Sequence, residues 1–231
     1  LPRARRPAAK LGVPFHVGSQ CMHPIAYRQA MAMVSNCIYE AGVWVDIVDV
    51  GGGFPAAYPG EVPPPLQAYV DDIVRAFEDM PVNENCALWC EPGRALVAEA
   101  GSVIARVELR KDNVLYLNEG TYGSLFDAAA SGAAMVFPTR LLRQRAARTL
   151  APFALYGPTC DSADYMPGPF FLPDDVAEGD YLEFGQLGAY GWTFRTGFNG
   201  FGEGDTAIVG DEPMLSLFAE RRPRRRRAAT S

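Results

Sequence analysis

The sequence predicts an α/β unit built on a parallel sheet or barrel, followed by a mostly antiparallel β unit. Two observations carry this. Up to about residue 100, short β-branched runs alternate with segments whose apolar residues recur every three or four positions. Beyond Gly101 the helical spacing fades, and short strand-like runs separated by turn residues take over.

In chain order, the opening LPRARRPAAK is basic and rich in Pro and Ala, so little order is expected there. Residues 13–17 read as a short strand that runs into Gly-Ser, with His16 near its end. Residues 24–41 carry helical signals. Pro24 suits a first turn, Tyr27, Ala30, Val34, Cys37, Ile38 and Ala41 recur at spacings of three and four, and Gly42 is a natural stop. Residues 45–50 are an apolar run interrupted by two acids, which suits a buried strand, and Gly51, Gly52 and Gly53 follow at once. Leu66, Tyr69, Val70, Ile73, Val74 and Phe77 mark a second amphipathic helix, ended by Pro81. Residues 87–90 are a further short strand that leads into Glu91-Pro92-Gly93-Arg94. The order β-α-β-α-β predicts parallel strands. In the second half, strands are expected at 103–109, 114–118, 135–142, 153–156, 181–184 and 206–209. The expected division is residues 1–100, residues 101–220, and a basic disordered tail at 221–231.

Composition narrows the classes of function. The chain has 231 residues, 48% of them hydrophobic, which is enough to bury a core. No apolar run reaches membrane length and no signal peptide opens the chain, so no membrane partner is expected. The net charge is −6, yet the stretch RRPRRRR at 221–227 holds six arginines, and without them the net charge is −12. An acidic body argues against nucleic-acid binding. The five cysteines show no disulfide spacing, and Cys86 and Cys90 lack a matching second pair, so neither a disulfide framework nor a metal site is expected. Reduced thiols point to the cytoplasm.

Three groups fall at the C-terminal ends of separate strands, where parallel α/β folds carry their sites: His16, the glycine trio, and the segment from Glu91 to Arg94. Three glycines leave backbone N–H groups free to close around an anion, or else form a tight turn. The spacing is not that of a dinucleotide fingerprint. Arg94 offers a fork of donors to phosphate or carboxylate, and Glu91 can meet a protonated ring nitrogen. The alternative is a structural Glu91–Arg94 ion pair. His16 is either a ligand-facing residue or a satisfied core one. Residues 157–164, GPTCDSAD, place the Cys160 thiol beside Asp161, a pair able to supply an acid and an ammonium-binding carboxylate; a buried Cys with a turn Asp is the structural alternative. Tyr190, in a stretch of glycines and aromatics, is a phosphate donor or a core tyrosine. Hydrolase elbows, P-loops and HExxH motifs are absent.

Five blocks in order then resemble the alanine-racemase-like, fold type III family of pyridoxal-phosphate decarboxylases, on the ornithine/lysine decarboxylase side. They are FHVGSQ (15–20), VDVGGGFP (48–55), EPGR (91–94), GPTCDSAD (157–164) and GAY…FNGF (188–201). The resemblance implies the C-terminal part of a (β/α)8 TIM-type barrel, lacking its first half, followed by a mostly antiparallel β-domain. It implies pyridoxal 5'-phosphate as cofactor. His16 would stack on the ring. Ser19, Gly51, Gly52, Gly53, Gly93, Arg94 and Tyr190 would surround the phosphate. Glu91 would pair with the pyridine nitrogen. Cys160 would be the catalytic proton donor and Asp161 would bind the distal ammonium of the substrate, both reaching into a partner's site in a homodimer with shared active sites. The implied reaction is decarboxylation of a basic amino acid, ornithine to putrescine in polyamine biosynthesis, with lysine or diaminopimelate as alternatives. Two departures stand out. The family's cofactor-linking lysine belongs to an Ala-Val-Lys-like motif, whereas Lys10 and Lys111 are the only lysines and lie in other contexts. The family's second substrate-binding Asp has Asp127 as its only nearby substitute. A catalytically inactive, partner-binding homologue is therefore the alternative reading.

Overall fold

The computed structural model describes residues 1–144 and 146–217. The expected disordered tail at 221–231 lies outside them. The chain opens with a short helix, α1 (Pro2–Arg5), where little order was expected. The reason is electrostatic. The Asp46 carboxylate accepts from Arg5 Nη1 at 2.5 Å and from the Leu11 amide at 2.7 Å, which ties the opening segment to the start of the second strand. Those two contacts, the amide first, hold the Asp46 carboxyl below the usual carboxylate range.

Strands β1 (Gly12–Pro14), β2 (Ile47–Asp49) and β3 (Ala87–Trp89) form a parallel sheet in that order. Val13, Val48 and Leu88 lie in register across it. Helix α2 (Ile25–Ala41) makes the first crossover and ends on Gly42, whose left-handed conformation lets its amide bond back to the Ile38 and Tyr39 carbonyls. Helix α3 (Leu66–Glu78) makes the second. Tyr27, Met31 and Ile38 from α2 and Tyr69 and Ile73 from α3 pack with Val45, Val48 and Val50 into one core. The expected β-α-β-α-β order is the observed one.

A short helix, α4 (Arg94–Val97), and a 3-10 turn (Ala98–Ala100) lead into a six-stranded sheet. Its strands are β4 (Val103–Lys111), β5 (Val114–Leu117), β6 (Thr139–Leu141), β7 (Leu150–Tyr156), β8 (Tyr165–Pro173) and β9 (Tyr181–Phe184), in the order β6-β9-β4-β5-β7-β8. Four pairings are antiparallel and one, β5 with β7, is parallel. Every second residue is buried: Ala105 and Val107, Leu115 and Leu117, Phe153 and Leu155, Leu182 and Phe184.

Strand expectations fail at three places; the run at 135–142 is a strand only over Thr139–Leu141. Residues 206–209 form no strand; Ile208 and Val209 are exposed, and acidic and glycine residues around them leave nothing to bury. Conversely, β8 was not anticipated, because Pro167, Pro169 and Pro173 punctuate it. It is an edge strand, where a proline's missing N–H removes no ladder bond that the sheet needs. Phe170 on β8 still meets Phe184 on β9 edge to face, with ring centroids 6.0 Å apart.

Candidate active site

The loops that leave β1, β2 and β3 converge on one cleft of about 120 Å3, lined by His16, Ser19, Gly52, Gly53, Phe54, Glu91, Gly93, Arg94 and Tyr190. Backbone hydrogen bonds continue the sheet pairing beyond the strands: Phe15 N–H to the Asp49 carbonyl, Val50 N–H to Trp89, and Glu91 N–H to Gly51. Gly52 sits where the loops touch. A Cβ there would lie 2.9 Å from the Glu91 carbonyl and 3.2 Å from His16 Nε2. Gly53, at φ +97°, could not carry a side chain without striking the Gly18 carbonyl. Its own carbonyl accepts from Cys21 N–H. Tyr27, buried in the core, donates from its hydroxyl to the Gly52 carbonyl at 2.8 Å, and burial pushes its pKa upward.

Gly51 does something else. Its N–H donates to Asp49 Oδ1 at 2.9 Å and a side chain there would strike the Phe15 carbonyl, so it shapes the loop rather than lining the cleft. It was expected around a phosphate and is not among the residues that line the cleft. The Gly52, Gly53 and Gly93 amides have no hydrogen-bond partner among the described residues. His16 accepts from the Gly18 amide on Nδ1 at 2.9 Å, so the neutral ring carries its proton on Nε2. The Glu91 carboxylate is exposed and has neither a hydrogen bond nor an ion pair among the described residues.

Arg94 is buried at 6% exposure. Nη1 donates to the Tyr58 hydroxyl at 2.8 Å; Nη2 donates to Asp127 at 2.7 Å and reaches Ser19 Oγ at 3.4 Å. The guanidinium also lies over the Tyr190 ring, 4.9 Å from its centroid. Its Nε is buried with no hydrogen-bond partner among the described residues. Burial opposes its charge, but Tyr58 and Asp127 outweigh that and leave the Arg94 pKa raised. The ion pair expected as the structural alternative, Glu91 with Arg94, does not form; Asp127 takes that place. Asp127 was anticipated as a substrate-binding residue, and its observed partner is Arg94. Tyr190 holds φ +66° and stacks on Phe194 at 5.3 Å, a strained backbone that turns its ring toward Arg94.

Cys160 and Asp161 lie outside this cleft, on the loop after β7. Cys160 is exposed, which removes the buried-cysteine alternative, and its Sγ lies 3.2 Å from Asn199 Nδ2. Asp161 accepts from the Ala163 amide at 2.9 Å and from the Tyr122 hydroxyl at 2.5 Å. These contacts, the amide first, hold its carboxyl below the usual range. Beneath the loop, Asp164 is 1% exposed and accepts four bonds, from the amide and hydroxyl of both Thr121 and Thr159. Gly120 and Gly157 press on that carboxylate, and a Cβ at either would collide with it. Asp164 thereby clips two loops together and sets Tyr122 against Asp161. Among the described residues no group of three or more His, Cys, Asp or Glu is placed to hold a metal.

Residues 3–98 match the family model described as "Pyridoxal-dependent decarboxylase, pyridoxal binding domain". The chain is 32% identical over 228 residues to ornithine decarboxylase of Caenorhabditis elegans, covering 88% of this chain and 52% of that one. It is 32% identical over 218 residues to antizyme inhibitor 2 of Xenopus laevis, covering 83% of this chain and 45% of the other. The solved arginine decarboxylase of Paramecium bursaria Chlorella virus, bound to agmatine, superposes with a TM-score of 0.71 at 30% identity, over 87% of this chain and 55% of that one. Over residues 3–98 the chain is therefore similar to the pyridoxal-binding domain of pyridoxal-dependent decarboxylases. It spans about half the length of the curated relatives it matches.

The donor set of the cleft fits the cofactor of this decarboxylase family. A phosphate monoester needs several N–H and O–H donors and a cation. The cleft offers three unpartnered glycine amides, the Ser19 and Tyr190 hydroxyls and a buried guanidinium with an orphaned Nε. A pyridinium needs an anion, and the Glu91 carboxylate is open. Phe54, Tyr58 and Tyr122 escaped the sequence reading. Each is an aromatic among many, and only the fold shows that Tyr58 braces Arg94 and Tyr122 braces Asp161. Lys10 and Lys111 do not line the cleft; Lys111 lies over the Tyr116 ring, 5.6 Å from its centroid.

Proposed function

We propose that the protein is a pyridoxal-phosphate-dependent decarboxylase of basic amino acids, with ornithine as the leading substrate and a polyamine precursor as product. The observation that carries this reading is the meeting of Glu91, Arg94, Gly52 and Gly53 in one cleft. In it, the amides of Gly52, Gly53 and Gly93, the hydroxyls of Ser19 and Tyr190, and Arg94 bind the phosphate. His16, which lines the cleft, would shield the ring from water. Glu91 would keep a proton on the ring nitrogen by charge pairing. Held there, pyridoxal phosphate would supply an electron sink for decarboxylation. Cys160 holds a proton for return to the substrate carbon, and Asp161, fixed by Tyr122, takes the distal ammonium. Since both lie outside the cleft, they serve the site of a second copy in a homodimer, and the parallel sheet belongs to a (β/α)8 barrel whose remaining strands, with the cofactor-linking lysine, come from a segment outside these residues.

A second reading, a partner-binding homologue without activity, is favoured by one observation: neither lysine lines the cleft. The likeness to antizyme inhibitor 2 supports it equally. The two separate in one experiment on the full-length protein. Pyridoxal phosphate is titrated in, followed by its absorbance, and carbon dioxide release is measured with ornithine, lysine, arginine and diaminopimelate. The enzyme reading expects release with at least one of them, and a loss of about 100-fold or more in Glu91→Gln. Cofactor uptake without release from any substrate establishes the second reading. Release that Glu91→Gln leaves unchanged removes Glu91 from its assigned role.

A further inference from the structure

The geometry points to Asp127 as a resident counter-anion that holds Arg94 at the cationic end of the cleft and must yield it to an incoming phosphate monoester. This rests on the reading of the cleft as a phosphate site.

Arg94 has five N–H donors in a fixed fork. In the structure Nη1 is given to Tyr58, and Nη2 is divided between Asp127 at 2.7 Å and Ser19 at 3.4 Å. Asp127 comes from the 3-10 turn Phe126–Ala128, far along the chain from the glycine loop, and its side chain is only 17% exposed. The pair is therefore weakly screened by solvent. The Nε, buried and unpartnered, shows that the fork is not saturated by the protein alone.

Charge bookkeeping then sets the sign. Arg94 and Glu91 line the cleft and Asp127 pairs with Arg94 beside it, one cation against two anions. A phosphate dianion enters against that excess of negative charge and competes directly with Asp127 for the guanidinium. While the cleft holds no anion, Asp127 keeps Arg94 buried and oriented, since a buried guanidinium without an anion would be costly. When one enters, the same carboxylate opposes it. Asp127 thus lowers affinity for the phosphate group and gives the ligand-free protein an intact cleft.

Inorganic phosphate and pyridoxal phosphate would each be titrated by calorimetry into the full-length protein, wild type and Asp127→Asn, at one ionic strength. Asn keeps the size and one acceptor but drops the charge. Binding of inorganic phosphate about tenfold tighter or more in Asp127→Asn is expected, one unit of charge near a dianion being worth at least that. Asp127→Ser, smaller and also neutral, should move affinity the same way and serves if the Asn protein misfolds. Equal or weaker phosphate binding in the variants overturns the proposal, as does an absence of phosphate binding in all three proteins. Tighter phosphate binding with no pyridoxal phosphate binding upholds the role of Asp127 and rejects the cofactor reading. Equal pyridoxal phosphate and equal inorganic phosphate binding in all three proteins does the reverse.

Discussion

Tyr122 and Asp161 show how a single hydroxyl can set the chemistry of an exposed carboxylate. Asp161 titrates below its ordinary range, first because the Ala163 amide bonds it and second because Tyr122 does. A folded pKa below the unfolded one, about 3.9 for Asp, stabilises the fold fully above that value and loses the contribution as pH falls through the folded pKa. In Tyr122→Phe the Asp161 carboxyl should titrate higher than in the wild type, nearer its free value, read by carbon NMR of the side chain across the acid range. An unchanged midpoint would mean that the hydroxyl does not hold Asp161 in solution. The same bond, from the other side, raises the Tyr122 pKa. Much at this scale was legible beforehand. His16, Gly52, Gly53, Glu91 and Arg94 stand at strand ends, and strand ends are readable from β-branched runs that stop at glycine or proline. The Arg94–Asp127 pair was not legible, since 33 residues and a change of unit separate its members.

Pairs of loops, rather than strands, carry the burden at the level of elements. Asp164 holds the turn after β5 to the turn after β7 through Thr121 and Thr159. Asp164→Asn would set an NH2 group against donors that now bond a carboxylate oxygen, and would leave at least one buried donor unmatched. A loss of about 2–4 kcal/mol in unfolding free energy is expected. Denaturant unfolding measures it, and a loss near zero would mean that the four bonds do not tie the loops. The sequence could hint at this clip only through Gly120 and Gly157, whose reason for being glycine is the carboxylate between them. Helices α2 and α3 were readable from apolar spacing, and α2 also from its Gly42 stop. Strand β8 was hidden by its prolines, because edge or centre is a property of the whole sheet and no local pattern reports it.

Across the molecule, β1 and β3 have one neighbour each among the described residues, so the parallel sheet has two unpaired edges. Trp44 and Trp89 are exposed at 66% and 55%, and Leu96 at 58%. Open edges with large apolar side chains nearby favour association. The 231-residue chain alone should therefore self-associate, as measured by light scattering during size-exclusion chromatography; a monodisperse monomer with cooperative unfolding would show that the edges need no cover.

The order of strands in the second sheet also has a temporal side. β4 stands near the middle of that sheet, yet its neighbour β9 pairs Phe184 with Val103, so one flank of β4 waits until most of the chain has left the ribosome. The three-stranded layer, complete by Trp89, can assemble long before. A nascent chain stalled between these two points would present an early-folded layer beside a waiting strand, the kind of half-built intermediate on which chaperones act.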